Sequence, residues 1–230
     1  MAMSRITVLD KGYVELVDVM GSDLSVANAA RASFAKRSDS FSEADARLVR
    51  FLAREQHSSP FRHAMMTFEV KAPLMVARQW WKYVVGSDHT MDGWNEASRR
   101  YVTMEPEFYI PEDGQWRSAP ENKKQGSGPC LDEEVGNGFN CDLRNIIEDG
   151  LSMYNKALEY GIAPEQARLF LPAYAMYTNW WWTCSLQGVM HFLNQRIADD
   201  AQREIQEYAI AIRDLVKDVF PVTLEVLGEK

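Results

Sequence analysis

Arg78-Gln79-Trp80-Trp81, followed a short way on by Asn95-Glu96-Ala97-Ser98-Arg99-Arg100-Tyr101, holds the densest chemistry in the chain. Cations (Arg78, Lys82, Arg99, Arg100), a carboxylate, amides, a hydroxyl and aromatic rings (Trp80, Trp81, Tyr83, Trp94, Tyr101) fall in one short segment. Guanidinium forks bind phosphate and uracil-like edges through paired hydrogen bonds. Aromatic planes stack on rings. Such a segment suits an anionic, ring-bearing small molecule. The plainer alternative is a charged helix surface over core tryptophans.

Arg196 is the most telling single residue. Val189, Leu193, Ile197, Ala201, Ile205, Tyr208 and Ile212 mark an apolar helical stripe, and Arg196 falls within it. An inward arginine is costly unless a carboxylate or a ligand answers it. Spacing leaves three outcomes open: a buried pair with Glu204 or Asp200, a stem that snorkels out, or a cation facing a ligand. Arg168, beside Glu165, reads by itself as a surface charge.

Other chemistries are disfavoured. The cysteines, Cys130, Cys141 and Cys184, are few and odd in number, which suits reduced thiols and a cytoplasmic setting. Cys130 and Cys141 match no zinc spacing and have no histidine nearby, so no metal site is expected. No histidine is spaced to activate Ser98 as a nucleophile. The absence of a G-x-G-x-x-G fingerprint argues against a Rossmann cradle. A net charge of −8 argues against nucleic acid as a partner, although a local basic pocket for one nucleotide is compatible with it. No apolar run approaches the roughly 20 residues of a membrane span, and no secretory signal is visible.

The elements that must position these residues follow from periodicity and caps. At 230 residues, 46% hydrophobic, the chain suits one domain over 1–230. Ile6 to Leu9 and Val14 to Val19 read as β segments, Asp23 to Phe34 as a helix, and Ser42 as the N-cap of a helix to about Gln56 with Asp45 completing a capping box. Thr67 to Lys71 alternates as a strand, and Pro73 opens a helix carrying Trp80 and Trp81. Residues 112–142 are rich in glycine and read as a surface loop insertion. Helices are expected over Leu143–Tyr160 and Pro164–Leu171, and one long helical region from Ser185 to about Val219.

Several blocks, in order, resemble flavin-dependent thymidylate synthases. They are Asp10 to Asp18, His57-Ser58-Ser59-Pro60-Phe61-Arg62-His63, Asn95-Glu96-x-Ser98-x-Arg100-Tyr101, Ala167 to Pro172, and Asn194-Gln195-Arg196 through Ala201 to Ile205. The resemblance implies an α/β (α+β) fold, a mainly antiparallel sheet packed with helices and ending in a long C-terminal helical region. It implies a homotetramer and reductive methylation of dUMP to dTMP. The carbon would come from methylenetetrahydrofolate and the reducing equivalents from NAD(P)H through FAD. Carried over by position, dUMP falls to Gln79, Trp80, Trp81, Lys82, Glu96, Ala97, Ser98, Arg99, Arg100, Arg168 and Arg196, with Arg196 activating the pyrimidine. FAD falls to Ser59, Lys82, Tyr83, Val84, His89, Glu96, Ser185, Leu186, Gln187 and His191, with His57 and His63 shaping the ring pocket.

One departure stands out. The family signature has Arg-His-Arg where this chain has Lys82-Tyr83-Val84, followed by a longer connection to Trp94. His89 lies in that connection and is placed to stand in for the lost imidazole. The departure keeps a second outcome open, a catalytically silent nucleotide- or flavin-binding homologue. A helical nucleic-acid-binding module is the third, and the acidic balance disfavours it.

Overall fold

Alternating apolar side chains along three long strands build one face of a sheet. In the computed structural model, which describes residues 4–85, 92–97, 105–121 and 126–228, that sheet has five antiparallel strands in the order β1-β2-β3-β5-β4. They are β1 (Ser4–Val8), β2 (Gly12–Met20), β3 (Met65–Pro73), β4 (Gly93–Glu96) and β5 (Tyr177–Ser185). Register puts Val14 opposite Val70 and Val70 opposite Trp180. Leu16 faces Phe68, and Phe68 faces Trp182. All but the half-buried Leu16 are sealed in the core. The opposite face carries Arg5, Glu15, Glu69 and Trp181.

Helices cover the apolar face. They are α1 (Asp23–Arg31), α2 (Glu43–Arg54), α3 (Leu74–Val85), α6 (Leu186–Arg196), α7 (Arg203–Val216) and the short α8 (Pro221–Glu225). α2 starts where its capping box predicts: Ser42 N–H donates to the Asp45 carboxylate at 2.7 Å and Ser42 Oγ accepts from Asp45 N–H. The β1–β2 turn is pinned to α7. A Cβ on Gly12 would fall on the Tyr208 hydroxyl, which donates to Lys71 O at 2.7 Å.

The sequence expectation needs correction at several places. The last third of the expected 112–142 loop is helix, because α4 spans Glu133–Glu159 and begins ten residues before the expected Leu143. Its glycines mimic a loop composition, but Gly136 lies against Trp116 and Asn140 accepts from Trp116 Nε1 at 2.8 Å. Asp132 caps the start, accepting from Glu134 N–H. The long final helix is two helices. The Gln206 amide takes the carbonyls of Ile197 and Ala198, both at 3.1 Å, and the chain turns between α6 and α7 while Ile197 and Ala201 still face inward. Pro73 closes β3 rather than opening a helix, and α3 follows at once. The first helix ends at Arg31, a 3₁₀ turn continues to Phe34, and the Phe34 ring is exposed. The short α5 (Pro164–Ala167) and a 3₁₀ turn through Phe170 pack on α4, where a second small core forms from Phe108, Ile147, Leu171 and Met176.

Candidate active site

α3 leaves the end of the interior strand β3, and side chains near its C-terminal end reach the middle of α6. There Tyr83 lies with its ring 5.5 Å from His191 and 5.1 Å from Phe192, centroid to centroid. The Arg196 guanidinium sits 5.1 Å from the Tyr83 ring, within cation–π reach. Burial pushes the Tyr83 phenol above its ordinary value, and the neighbouring Arg196 cation pulls the other way. Arg196 is the last residue of α6, where a cation meets the negative end of the helix dipole. Its Nε is sealed from solvent and has no hydrogen-bond partner among the described residues.

Glu204 is not the answer to that cation. It accepts from Arg117 Nη2 at 2.5 Å and from Gln202 Nε2 at 2.8 Å. No ion pair joins Arg196 to Asp200 among the described residues. Of the outcomes left open by spacing, a pair with Glu204 or Asp200 does not form among the described residues, and Arg196 lies half-buried over the Tyr83 ring.

Beside this cluster opens a cavity of about 1150 Å³, somewhat larger than the ~300–1,000 Å³ common for ligand pockets. Tyr83, Gln187 and His191 line it, as do His57 and Arg62 from the 57–63 turn. Arg213 on α7 and Leu224 and Leu227 near the C-terminus complete it and went unpredicted. Arg213 follows Ile212 on the apolar stripe, a position a helical wheel would have flagged as a flank. A second recess of about 310 Å³ is walled by Arg78, Trp81, Trp94 and Glu96. Glu96 Oε1 accepts there from the Thr178 hydroxyl at 2.8 Å, and Ala97 N–H donates to Asn179 O at 2.8 Å, which extends the β4 edge.

Several predicted residues fall elsewhere. Trp80 is 0% exposed. It stacks on Phe192 at 4.5 Å and meets Trp180 and Trp182 edge-on, so its side chain is core rather than binding surface. Helical spacing cannot distinguish it from Trp81, which is 37% exposed. Leu186 is likewise sealed, and the Ser185 hydroxyl is spent capping α6, accepting from Gly188 N–H at 3.2 Å. Ser59 is exposed on its 3₁₀ turn and does not line the cavity. Lys82 is exposed and Val84 half-buried on α3. Arg168 lies on an exposed turn, Nε donating to Glu165 O at 3.2 Å, and borders neither recess. Gln79 is engaged by Gln202. Ser98, Arg99, Arg100 and His89 lie outside the described residues.

Cys184 is fully buried on β5, and burial holds its thiol well above the usual range, so it is no thiolate nucleophile. Cys130 and Cys141 are exposed and unpaired. Among the described residues no cluster of His, Cys, Asp or Glu could hold a metal ion, and no helix is long and apolar enough to cross a membrane.

The architecture is the α/β fold of a nucleotide methylase. The crystal structure of the UMP/dUMP methylase PolB from Streptomyces cacaoi, bound with 5-Br dUMP, matches with a TM-score of 0.83 and 30% identity over 97% of each chain. The family model described as thymidylate synthase complementing protein matches residues 15–222. The flavin-dependent thymidylate synthase of Thermotoga neapolitana is 41% identical over 96% of this chain and 93% of its own length. That of Thermus thermophilus is 41% identical over 97% of this chain and 78% of its own. The chain belongs to the flavin-dependent thymidylate synthases.

Proposed function

We propose that this protein methylates dUMP to dTMP, using methylenetetrahydrofolate as carbon donor and NAD(P)H as reductant through FAD. The observation that carries the reading is Arg196. Its guanidinium lies over the ring of Tyr83, a residue that lines the large cavity, and its sealed Nε has no hydrogen-bond partner among the described residues, in a chain whose family model spans residues 15–222.

The donor set of the cavity fits a flavin dinucleotide. Tyr83 and His57 offer ring faces, Arg62 and Arg213 offer cations for a pyrophosphate, and Gln187 and His191 offer hydrogen bonds. A bound flavin would supply the hydride. Arg196 would stabilise the negative charge that develops on the pyrimidine as hydride adds at its C6. Gln79, Trp81, Glu96, Ala97 and Arg168 hold the nucleotide, together with Lys82, Ser98, Arg99 and Arg100. Without a usable thiolate at Cys184, activation rests on this cation rather than on covalent addition.

The site is completed by assembly into a homotetramer. Two features support this. Arg168 borders neither recess of its own chain. Around it Leu169 is 81% exposed, and Val135, Phe139, Ile146 and Met153 are exposed along α4, an apolar face too large to leave wet. Unpaired Cys130, Cys141 and Cys184 suit a reducing, cytoplasmic setting.

The purified protein is expected to carry oxidised flavin in its visible spectrum and to form dTMP only when dUMP, NADPH and methylenetetrahydrofolate are all present. A colourless protein that gains no flavin absorbance on reconstitution with FAD would rule the reading out.

A further inference from the structure

A carboxylate can only accept hydrogen bonds, and an amide must choose which end faces which neighbour. Four polar side chains in a row turn these two facts into a direction. Arg117, from the 105–121 segment, donates to Glu204 Oε1 at 2.5 Å. Glu204 is 5% exposed. Its other oxygen, Oε2, accepts from Gln202 Nε2 at 2.8 Å. The Gln202 amide must therefore present its NH₂ to Glu204, and its second hydrogen reaches Met75 Sδ at 3.6 Å. Gln202 Oε1 is left facing α3, where it accepts from Gln79 Nε2. The second Gln79 hydrogen points to Met75 O at 3.4 Å. Both donors of Gln79 are then committed, and its Oε1 has no partner among the described residues.

We infer that Glu204 is a positioning residue: through Gln202 it locks the Gln79 amide with Oε1 outward, so that position 79 reads an N–H or O–H donor of the nucleotide and not its phosphate. This rests on the proposed contact between Gln79 and dUMP. The polarity cannot reverse while Glu204 is ionised, because no atom of a carboxylate can donate to Gln202. Arg117 keeps it ionised by occupying the other oxygen with a charge-assisted bond. dUMP offers two such donors, the ring N3–H and the 3′-hydroxyl. The phosphate, being acceptor-only when ionised, is left to the cations.

Glu204→Gln reverses the relay with almost no change of shape. Arg117 still takes the carbonyl of residue 204, so the new NH₂ faces Gln202. The Gln202 and Gln79 amides each turn over, and position 79 now offers an N–H where the nucleotide also offers one. dUMP affinity, measured by calorimetry on the FAD-loaded protein, is expected to fall about ten- to hundredfold, the cost of facing two donors. The comparison nucleotides are dCMP, which carries a lone pair at ring N3, and 2′,3′-dideoxyuridine monophosphate, which lacks the 3′-hydroxyl. For whichever of the two lacks the contacted donor, the penalty of Glu204→Gln should vanish; a loss of packing would weaken all three alike. Gln202→Leu leaves the Arg117–Glu204 pair in place, frees the Gln79 amide to turn, and should give a smaller loss with the same nucleotide pattern. It decides the matter if Glu204→Gln does not fold. Unchanged dUMP affinity in these variants, or an equal penalty for all three nucleotides, overturns the relay when Gln79→Ala does weaken dUMP. Unchanged affinity in Gln79→Ala itself overturns both the relay and the underlying contact.

Discussion

The end of α6 and the turn at Arg168 carry two arginines expected to meet the nucleotide, yet they are built in opposite ways. Arg196 is half-buried, seated over Tyr83 and backed by the aromatic cluster of Trp80, Trp182 and Phe192. Arg168 is exposed on a short 3₁₀ turn, held by one bond to the Glu165 carbonyl and flanked by outward Leu169 and Phe170. One arginine is held in place by its own chain; the other awaits a surface. The difference teaches that the fold itself seats Arg196, whereas Arg168 would be seated only in the proposed assembly.

The comparison can be broken at its strongest point. Trp80→Ala should cost about 3–5 kcal/mol of stability, seen as a lower midpoint in urea unfolding. Trp81→Ala, one residue on but facing the small recess, should leave that midpoint nearly unchanged. Equal losses would mean that the core does not back the α6 end. Next in size is Arg196→Ala. Turnover should fall on the order of 10²–10³ with flavin content intact, read from product formation beside the visible spectrum. Near-normal turnover at saturating dUMP would remove Arg196 from the chemistry.

The assembled half responds differently. Phe139→Asp or Leu169→Asp should weaken the oligomer by about 2 kcal/mol each, as for a central interface residue. Light scattering would report a smaller mass, with dUMP binding lost in step while the isolated subunit keeps its helical circular dichroism. An unchanged mass would leave Arg168 without a partner surface.

The smallest expected effect concerns acid. Burial alone would raise the Glu204 carboxyl, but hydrogen bonds from Arg117 and Gln202 outweigh it and hold the group below its ordinary range. Unfolded, the same carboxyl titrates near about 4.3. The unfolded chain therefore binds the proton first, so the contribution is present above about pH 4.3 and is lost as pH falls through the folded value. Arg117→Met should move the acid-unfolding midpoint upward. A midpoint that stays put would show that the pair adds nothing to stability.

Much of this was legible in the sequence, for identifiable reasons. Period-two alternation at Phe68 and Val70 gave β3, and the Ser42–Asp45 pair gave the start of α2, because both signals are local. Arg196 stood out as a cation in an apolar stripe. What escaped was set by tertiary contact. Gly136 reads as loop until Trp116 is seen lying against the helix. The break between α6 and α7 depends on a side chain, Gln206, that reaches back nine residues to Ile197. Trp80 and Trp81 are identical in type and adjacent, and only the packed sheet decides which is inside. The Gln202–Glu204 relay lay within a resembling block but carries meaning only once Gln79 and Arg117 arrive beside it.

The tryptophan cluster has a consequence of an optical kind. The indole N–H groups of Trp80, Trp180 and Trp182 are sealed and have no hydrogen-bond acceptor among the described residues, and Trp80 packs edge-on against the rings of Trp180 and Trp182. An indole in such dry, weakly polar surroundings emits at shorter wavelength than one in water. The folded chain should therefore show a blue-shifted emission component, with Trp81 and Trp181 supplying the solvent-sensitive remainder. The sheet thus carries its own reporter. Loss of the blue component would mark water reaching β5, while quenching of the red component alone would mark a ligand arriving at the outer tryptophans with the core undisturbed.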